Sequence, residues 1–172
     1  MLNSVLEFWF KELEPRQWFV KDLDLDSHIT TTFKAVHTQA SLCELSYWRT
    51  SNEGRLAEII VLDQFSRNIY RDKPQAFACD SLALALAQEA ISLGCDKLLT
   101  DQQKQFLYMP FMHSESKTIH ETAVTLFSQP GLEYNLDFEL KHKVIIDEFG
   151  RYPHRNLILG RESTKEELQF LT

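Results

Sequence analysis

Leu56-Ala57-Glu58-Ile59-Ile60-Val61-Leu62-Asp63-Gln64-Phe65-Ser66-Arg67-Asn68-Ile69-Tyr70-Arg71 decides the fold. At about 100° per residue, Leu56, Ile59 and Ile60 share a helical face with Asp63, Arg67 and Arg71, while Val61, Leu62, Phe65 and Ile69 cover the opposite side. A helix apolar nearly all round is a central, buried one. Its Asp63–Arg67 pair, spaced i to i+4, is then partly withdrawn from water, where a charge needs a partner. Thr50-Ser51-Asn52-Glu53 has capping-box spacing and opens this helix, and Pro74 breaks it.

Working outward, the remaining segments also read as helices. Ser4 caps one over residues 4–13, with Val5, Leu6, Trp9 and Leu13 at helical spacing and Pro15 at its end. Asp22 to Leu45 forms a second, with Ile29, Phe33, Val36 and Ala40 on one face and His28 and His37 read as surface or core-edge residues. Asp80 caps a helix to Gly94 whose Ser81-Leu82-Ala83-Leu84-Ala85-Leu86-Ala87 run lets neighbouring helices approach closely. Thr100 caps the next, through Tyr108, with Pro110 as its stop. Ser114 caps a helix to about Ser128, with Glu115 in its first turn and in line with Ile119, Thr122 and Leu126. After the Pro130-Gly131 turn, a helix to Phe149 carries His142 among Phe138, Ile145, Ile146 and Phe149, which reads as a satisfied core histidine. Ser163-Thr164-Lys165-Glu166-Glu167 caps a last short helix. The expectation is a single all-α domain, residues 1–172, of about eight helices.

Composition narrows the function classes. The chain has 172 residues, 44% of them hydrophobic, with twelve phenylalanines, which suits one globular core. Only five glycines and five prolines interrupt it, favouring long helices over many short strands. A net charge of −7 argues against a general nucleic-acid or anionic-membrane surface. Cys43, Cys79 and Cys95 have no Cys-x-x-Cys spacing, so neither a disulfide framework nor a cysteine zinc site is indicated. No run approaches transmembrane length, and the acidic, amphipathic start is unlike a signal peptide, so a reducing cytoplasm is the expected location.

The arginines are clustered where the lysines are scattered. Arg67, Arg71, Arg151, Arg155 and Arg161 account for five of eight, all within two short segments. The second is Phe149-Gly150-Arg151-Tyr152-Pro153-His154-Arg155-Asn156, a donor-rich turn punctuated by Gly150 and Pro153. Arginine's planar fork suits carboxylate and phosphate pairing. One reading is an anion pocket built from Asp63, Arg67, Arg71, Arg151, Arg155 and Asn156. The other is a structural network in which Asp63, Asp80, Glu115 and backbone carbonyls consume those donors. His154 is the leading candidate for proton transfer, its pKa expected to fall beside the arginines, with a carbonyl-bonded structural role as the alternative. His113 and Glu115 are the further acid–base candidates. They offer metal ligands with His154 or His142, yet His-x-Glu is no zinc signature, so no metal or other cofactor is expected. No Gly-rich phosphate loop, Gly-x-Ser-x-Gly elbow or His-Glu-x-x-His occurs.

The runs Gly54-Arg55-Leu56-Ala57, Leu62 to Arg71, Tyr108-Met109-Pro110-Phe111-Met112-His113-Ser114-Glu115, Phe149 to Asn156 and Leu159-Gly160-Arg161-Glu162-Ser163-Thr164 carry a resemblance, together with the opening Val5-Leu6-Glu7-Phe8-Trp9-Phe10. They resemble, in order and over almost the whole chain, the bacterial family called domain of unknown function 924. The resemblance implies a tetratricopeptide-like helical array and no particular reaction. Asp80 and His142 fall at positions the family favours, whereas His120 stands where relatives tend to carry glutamine. The expected function is binding of a small anionic ligand in an Arg/His-lined pocket. The alternative is a tetratricopeptide-like interaction module that clamps a peptide carboxylate. Whether the protein is an enzyme, and its oligomeric state, stay open.

Overall fold

A computed structural model describes every residue, Met1–Thr172. Its regular structure is helical throughout, with no strand. α1 (Leu2–Glu7) runs into a π-type turn, Phe8–Glu12, which turns Phe8 and Trp9 inward. α2 (Leu23–Ser41) starts at Asp22, whose carboxylate accepts from the N–H groups of Asp24 and Leu25 at 3.0 Å. α3 (Asn52–Ile60), a second π-type turn (Val61–Phe65) and α4 (Ser66–Ile69) follow one another without a break. Then come α5 (Asp80–Ser92), α6 (Asp101–Met112), α7 (Lys117–Phe127), α8 (Glu133–Phe149), α9 (Asn156–Leu159) and α10 (Lys165–Phe170). No helix is long and apolar enough to cross a membrane.

The α3–α4 path lies at the centre, as its apolar surface requires. It touches α1, α2, α5 and α6, and Leu56 to Phe65 are buried without exception. Thirty-three buried apolar side chains from Val5 to Leu132 form one continuous cluster around it. On α5, Ala83, Ala87 and Ala90 are fully buried at helical spacing, and their small size lets α5 sit close against α3 and α6.

Several boundaries differ from the periodicity reading, each for a local reason. Ser51, one residue beyond Thr50, caps α3 by accepting from the Gly54 N–H at 3.0 Å, while Thr50 donates to the Tyr47 carbonyl. Asp80 is the first residue of α5 rather than its cap, because its carboxylate is drawn to arginine. α6 continues through Pro110 to Met112. With two residues of helix left, the proline forfeits one N–H bond while Phe111 and Met112 keep their burial. α7 begins at Lys117 after Ser116, so Ser114 and Glu115 lie in the preceding turn. His28 is exposed, but His37 is buried, its Nε2 2.7 Å from Ser66 Oγ.

Candidate functional site

The π-type turn sets the site. Asp63 lies within it and is wholly enclosed. Asp63 Oδ1 lies 2.7 Å from His113 Nδ1 and 3.2 Å from Arg67 Nη1, and Oδ2 accepts from Gln64 Nε2 at 2.5 Å. Arg67 donates its fork to Asp80, at 3.0 and 3.1 Å, and Nη1 also to the Asp63 carbonyl at 2.6 Å. Arg155, from the short turn Pro153–Arg155, reaches Asp80 Oδ2 at 3.3 Å with Nη1 and the His113 carbonyl at 3.0 Å with Nη2. Asp63, Arg67, Asp80, Arg155 and His113 thus close a ring drawn from four separate segments.

That ring also solves a backbone problem. The last carbonyls of α6 and of the turn after it have no helical partner and would be orphaned. Tyr152 Oη donates to Met112 O at 2.5 Å, Arg155 to His113 O, and His120 Nε2 to Ser114 O at 2.8 Å. The His120 ring is itself held by Glu139, 2.6 Å from Nδ1, with both side chains fully buried. Cations at a helix C-terminus are favoured by the dipole as well.

Burial opposes ionisation of Asp63, but His113, the Arg67 charge and the hydrogen bonds from His113 and Gln64 outweigh it, holding the carboxyl well below the usual range. Burial also opposes the charge on Arg67, and Asp63 and Asp80 more than restore it. For His113, burial and then the Arg67 charge push the pKa down further than Asp63 raises it. The neutral ring donates from Nδ1 to the carboxylate and leaves Nε2 without a protein partner. Burial lowers the pKa of Arg155, whose guanidinium lies 4.6 Å from the ring centroids of both Phe77 and Tyr152. Its Nε is buried with no acceptor.

Two recesses open on this ring. A polar cavity of about 290 Å³ is lined by Asp80, Ser81, His113, Ser114, Glu115 and Arg155. An aromatic cleft of about 260 Å³ is walled by Trp18, Phe19, Tyr134 and Phe138 over Gln64, Arg67, Asn135 and His142. His113 lines both.

Of the residues singled out in the sequence, Asp63, Arg67, His113 and Arg155 therefore meet, and Glu115 joins them in the polar cavity. The others lie elsewhere. Arg71 is clamped on Asp26, which also accepts from Asn68 at 2.9 Å. Arg151 makes a two-pronged pair with Glu167 at 2.6 and 2.8 Å. Asn156 is buried between Arg161, Ser163 and Glu167. His154 is exposed at its edge, packs one side beside Tyr152 and lines neither recess; partial desolvation on that packed side lowers its pKa first, and Arg155 second. Glu115 is engaged by the Arg161 fork at 2.7 and 2.9 Å and by the Tyr152 N–H. His142, half-buried, donates from Nδ1 to the Phe138 carbonyl at 2.7 Å and faces the cleft instead of the core. Phe138 shared a helix face with His142 in the sequence but read as core, whereas Gln64, Trp18, Phe19 and Tyr134 carried no spacing signal, since nothing local marks which ring borders a cleft. No group of three or more His, Cys, Asp or Glu side chains is arranged to hold a metal ion.

Fold and site together define an all-helical protein with a buried carboxylate–imidazole–guanidinium ring opening on two small recesses. The chain belongs to the family described as bacterial protein of unknown function DUF924, whose model matches residues 5–172. It is similar to a solved structure described as a protein of unknown function, ATU0120, from Agrobacterium tumefaciens. The two are 38% identical, with a TM-score of 0.93 over 99% of this chain and 96% of that one. No curated protein matches the chain.

Proposed function

We propose that the polar cavity binds a small anion, a carboxylate or phosphate, with Arg155 as the charged anchor and His113 as the proton-carrying group beside it. The observation that carries this reading is the state of Arg155. It lines the cavity, is buried, holds Asp80 by one long contact and the His113 carbonyl through Nη2, and its enclosed Nε has no acceptor. Arg67 anchors the same ring from inside. The Arg71, Arg151 and Asn156 pairs act as clamps outside the cavity, and Glu115 shapes it through Arg161.

Asp63, Asp80 and Glu115 balance Arg67, Arg155 and Arg161, so an arriving anion is best compensated when His113 takes up a proton at Nε2. Binding is then coupled to protonation. Sulfate, whose charge is constant over this range, should bind more tightly as pH falls below about 6.5, because the His113 pKa is lowered, read by calorimetry. Arg155→Gln should weaken sulfate and phosphate binding at least tenfold, the loss of one charged hydrogen bond. Arg155→Lys, which retains the charge, should recover part of it. Unchanged affinity in Arg155→Gln would sink the reading. Binding of a peptide through its terminal carboxylate, with no response to free anions, would replace it by the interaction-module function.

A further inference from the structure

The aromatic cleft has a chemistry different from the polar cavity. Its floor presents hydrogen-bond acceptors, and the neighbours of each group dictate this. Gln64 must direct its amide nitrogen at the ionised Asp63, and that nitrogen also lies 3.3 Å from Met109 S, which leaves Oε1 open. His142 spends its ring proton on the Phe138 carbonyl, so its other nitrogen, Nε2, is an acceptor. Asn135 donates to Gln105 Oε1 at 3.1 Å and leaves Oδ1 open. None of these three atoms is sealed from solvent or has a protein partner. Arg67 is the one cation in the lining, with its fork committed to Asp80 and Asp63, and Lys141 Nζ lies 4.9 Å from the Phe138 ring centroid at the wall.

The walls fit the same occupant. Phe19 and Tyr134 are more than half exposed, and Tyr134 and Phe138 lie with ring centroids 4.9 Å apart. Aromatic faces attract cations, and open acceptors attract N–H donors. We propose that this cleft is a binding site for an ammonium group carried on a small apolar or aromatic body, the ammonium on Gln64, Asn135 and His142 and the body between the rings. This goes beyond the anion reading and does not depend on it, because the two recesses use different anchors.

The experiment compares phenethylamine with two isosteres, neutral phenethyl alcohol and anionic hydrocinnamate, by calorimetry and thermal shift at neutral pH. Phenethylamine should bind and raise the melting temperature, the alcohol should bind about tenfold more weakly, and hydrocinnamate should not register. His142→Leu, at a half-buried position, should raise the amine Kd about tenfold. Phe138→Ala, at an exposed ring, should weaken it by a similar factor. Sulfate affinity should be unchanged in both variants, so a failure here is distinct from a failure at Arg155. Equal affinity for hydrocinnamate, no amine binding, or an unaltered amine Kd in both variants would overturn the proposal. So would nitrogen NMR showing His142 protonated at Nε2 in place of Nδ1.

Discussion

Asp63 shows how a single carboxylate can hold a site together. It is fully enclosed, yet it meets an imidazole, a guanidinium and an amide, so the cost of taking its charge out of water is offset by directed partners. Removing it leaves His113 without its anchor and Arg67 with one carboxylate. Asp63→Ala should therefore cost about 3–5 kcal/mol, measured as a lower urea midpoint with an unchanged slope. An unaltered midpoint would mean that Asp80 alone satisfies Arg67. The sequence exposed the Asp63–Arg67 pair through its four-residue spacing, but the His113 contact spans fifty residues and has no local signature.

Among the elements, the join between the short turn Ser46–Thr50 and α3 is the tightest. A Cβ added at Gly54 would lie 1.9 Å from the Trp48 carbonyl oxygen and 2.8 Å from its carbon, both backbone atoms. That close approach, and not a left-handed backbone, is why glycine is required there. Gly54→Ala should cost several kcal/mol through a forced backbone shift, approaching the upper range of about 4–5 kcal/mol for point changes. Gly150 is the opposite case: it ends α8 at φ +69° with nothing within 4 Å of an added Cβ. Gly150→Ala should cost only the backbone penalty, about 1–2 kcal/mol. Paired thermal melts test the difference, and equal losses would contradict it.

Across the whole molecule, the ionised groups agree on the direction of acid sensitivity. Burial opposes the charges of Asp26 and Glu115, but Arg71 and Asn68 in one case, Arg161 and the Tyr152 N–H in the other, bring both pKa values below ordinary. Arg151, with the Thr164 N–H, lowers Glu167 to about 2. A depressed carboxylate contributes stability that is fully present above the unfolded value near 4 and is lost as pH falls through the folded value. His37 and His113 are lowered by burial, so the unfolded chain binds their protons first, and stability already declines below about pH 6.5. Urea midpoints should be flat at neutral pH, fall gently below it, and fall steeply between about pH 4 and 2. A midpoint that rises on acidification would refute this set of pairings.

The sequence by itself determined the helical class, the central position of the α3–α4 path and the arginine-rich turn, because apolar periodicity, small-residue runs and capping chemistry act over a few residues. The same locality hid the rest. A π-type turn is invisible to a fixed helical period, so the inward placement of Asp63 beside Arg67 was legible but the register that brings it to His113 was not. Pro110 looked like a stop because only burial of Phe111 and Met112 explains why the helix continues past it. Most of all, apart from the Asp63–Arg67 pair, the partners of the arginines were undecidable from spacing. Arg71 and Arg151 stand in the same two short segments as Arg67 and Arg155, and only packing sends the first two to Asp26 and Glu167 and the others to the cavity ring. Tertiary structure decides such matters because a charge taken out of water seeks whichever carboxylate the fold brings within reach, however distant along the chain.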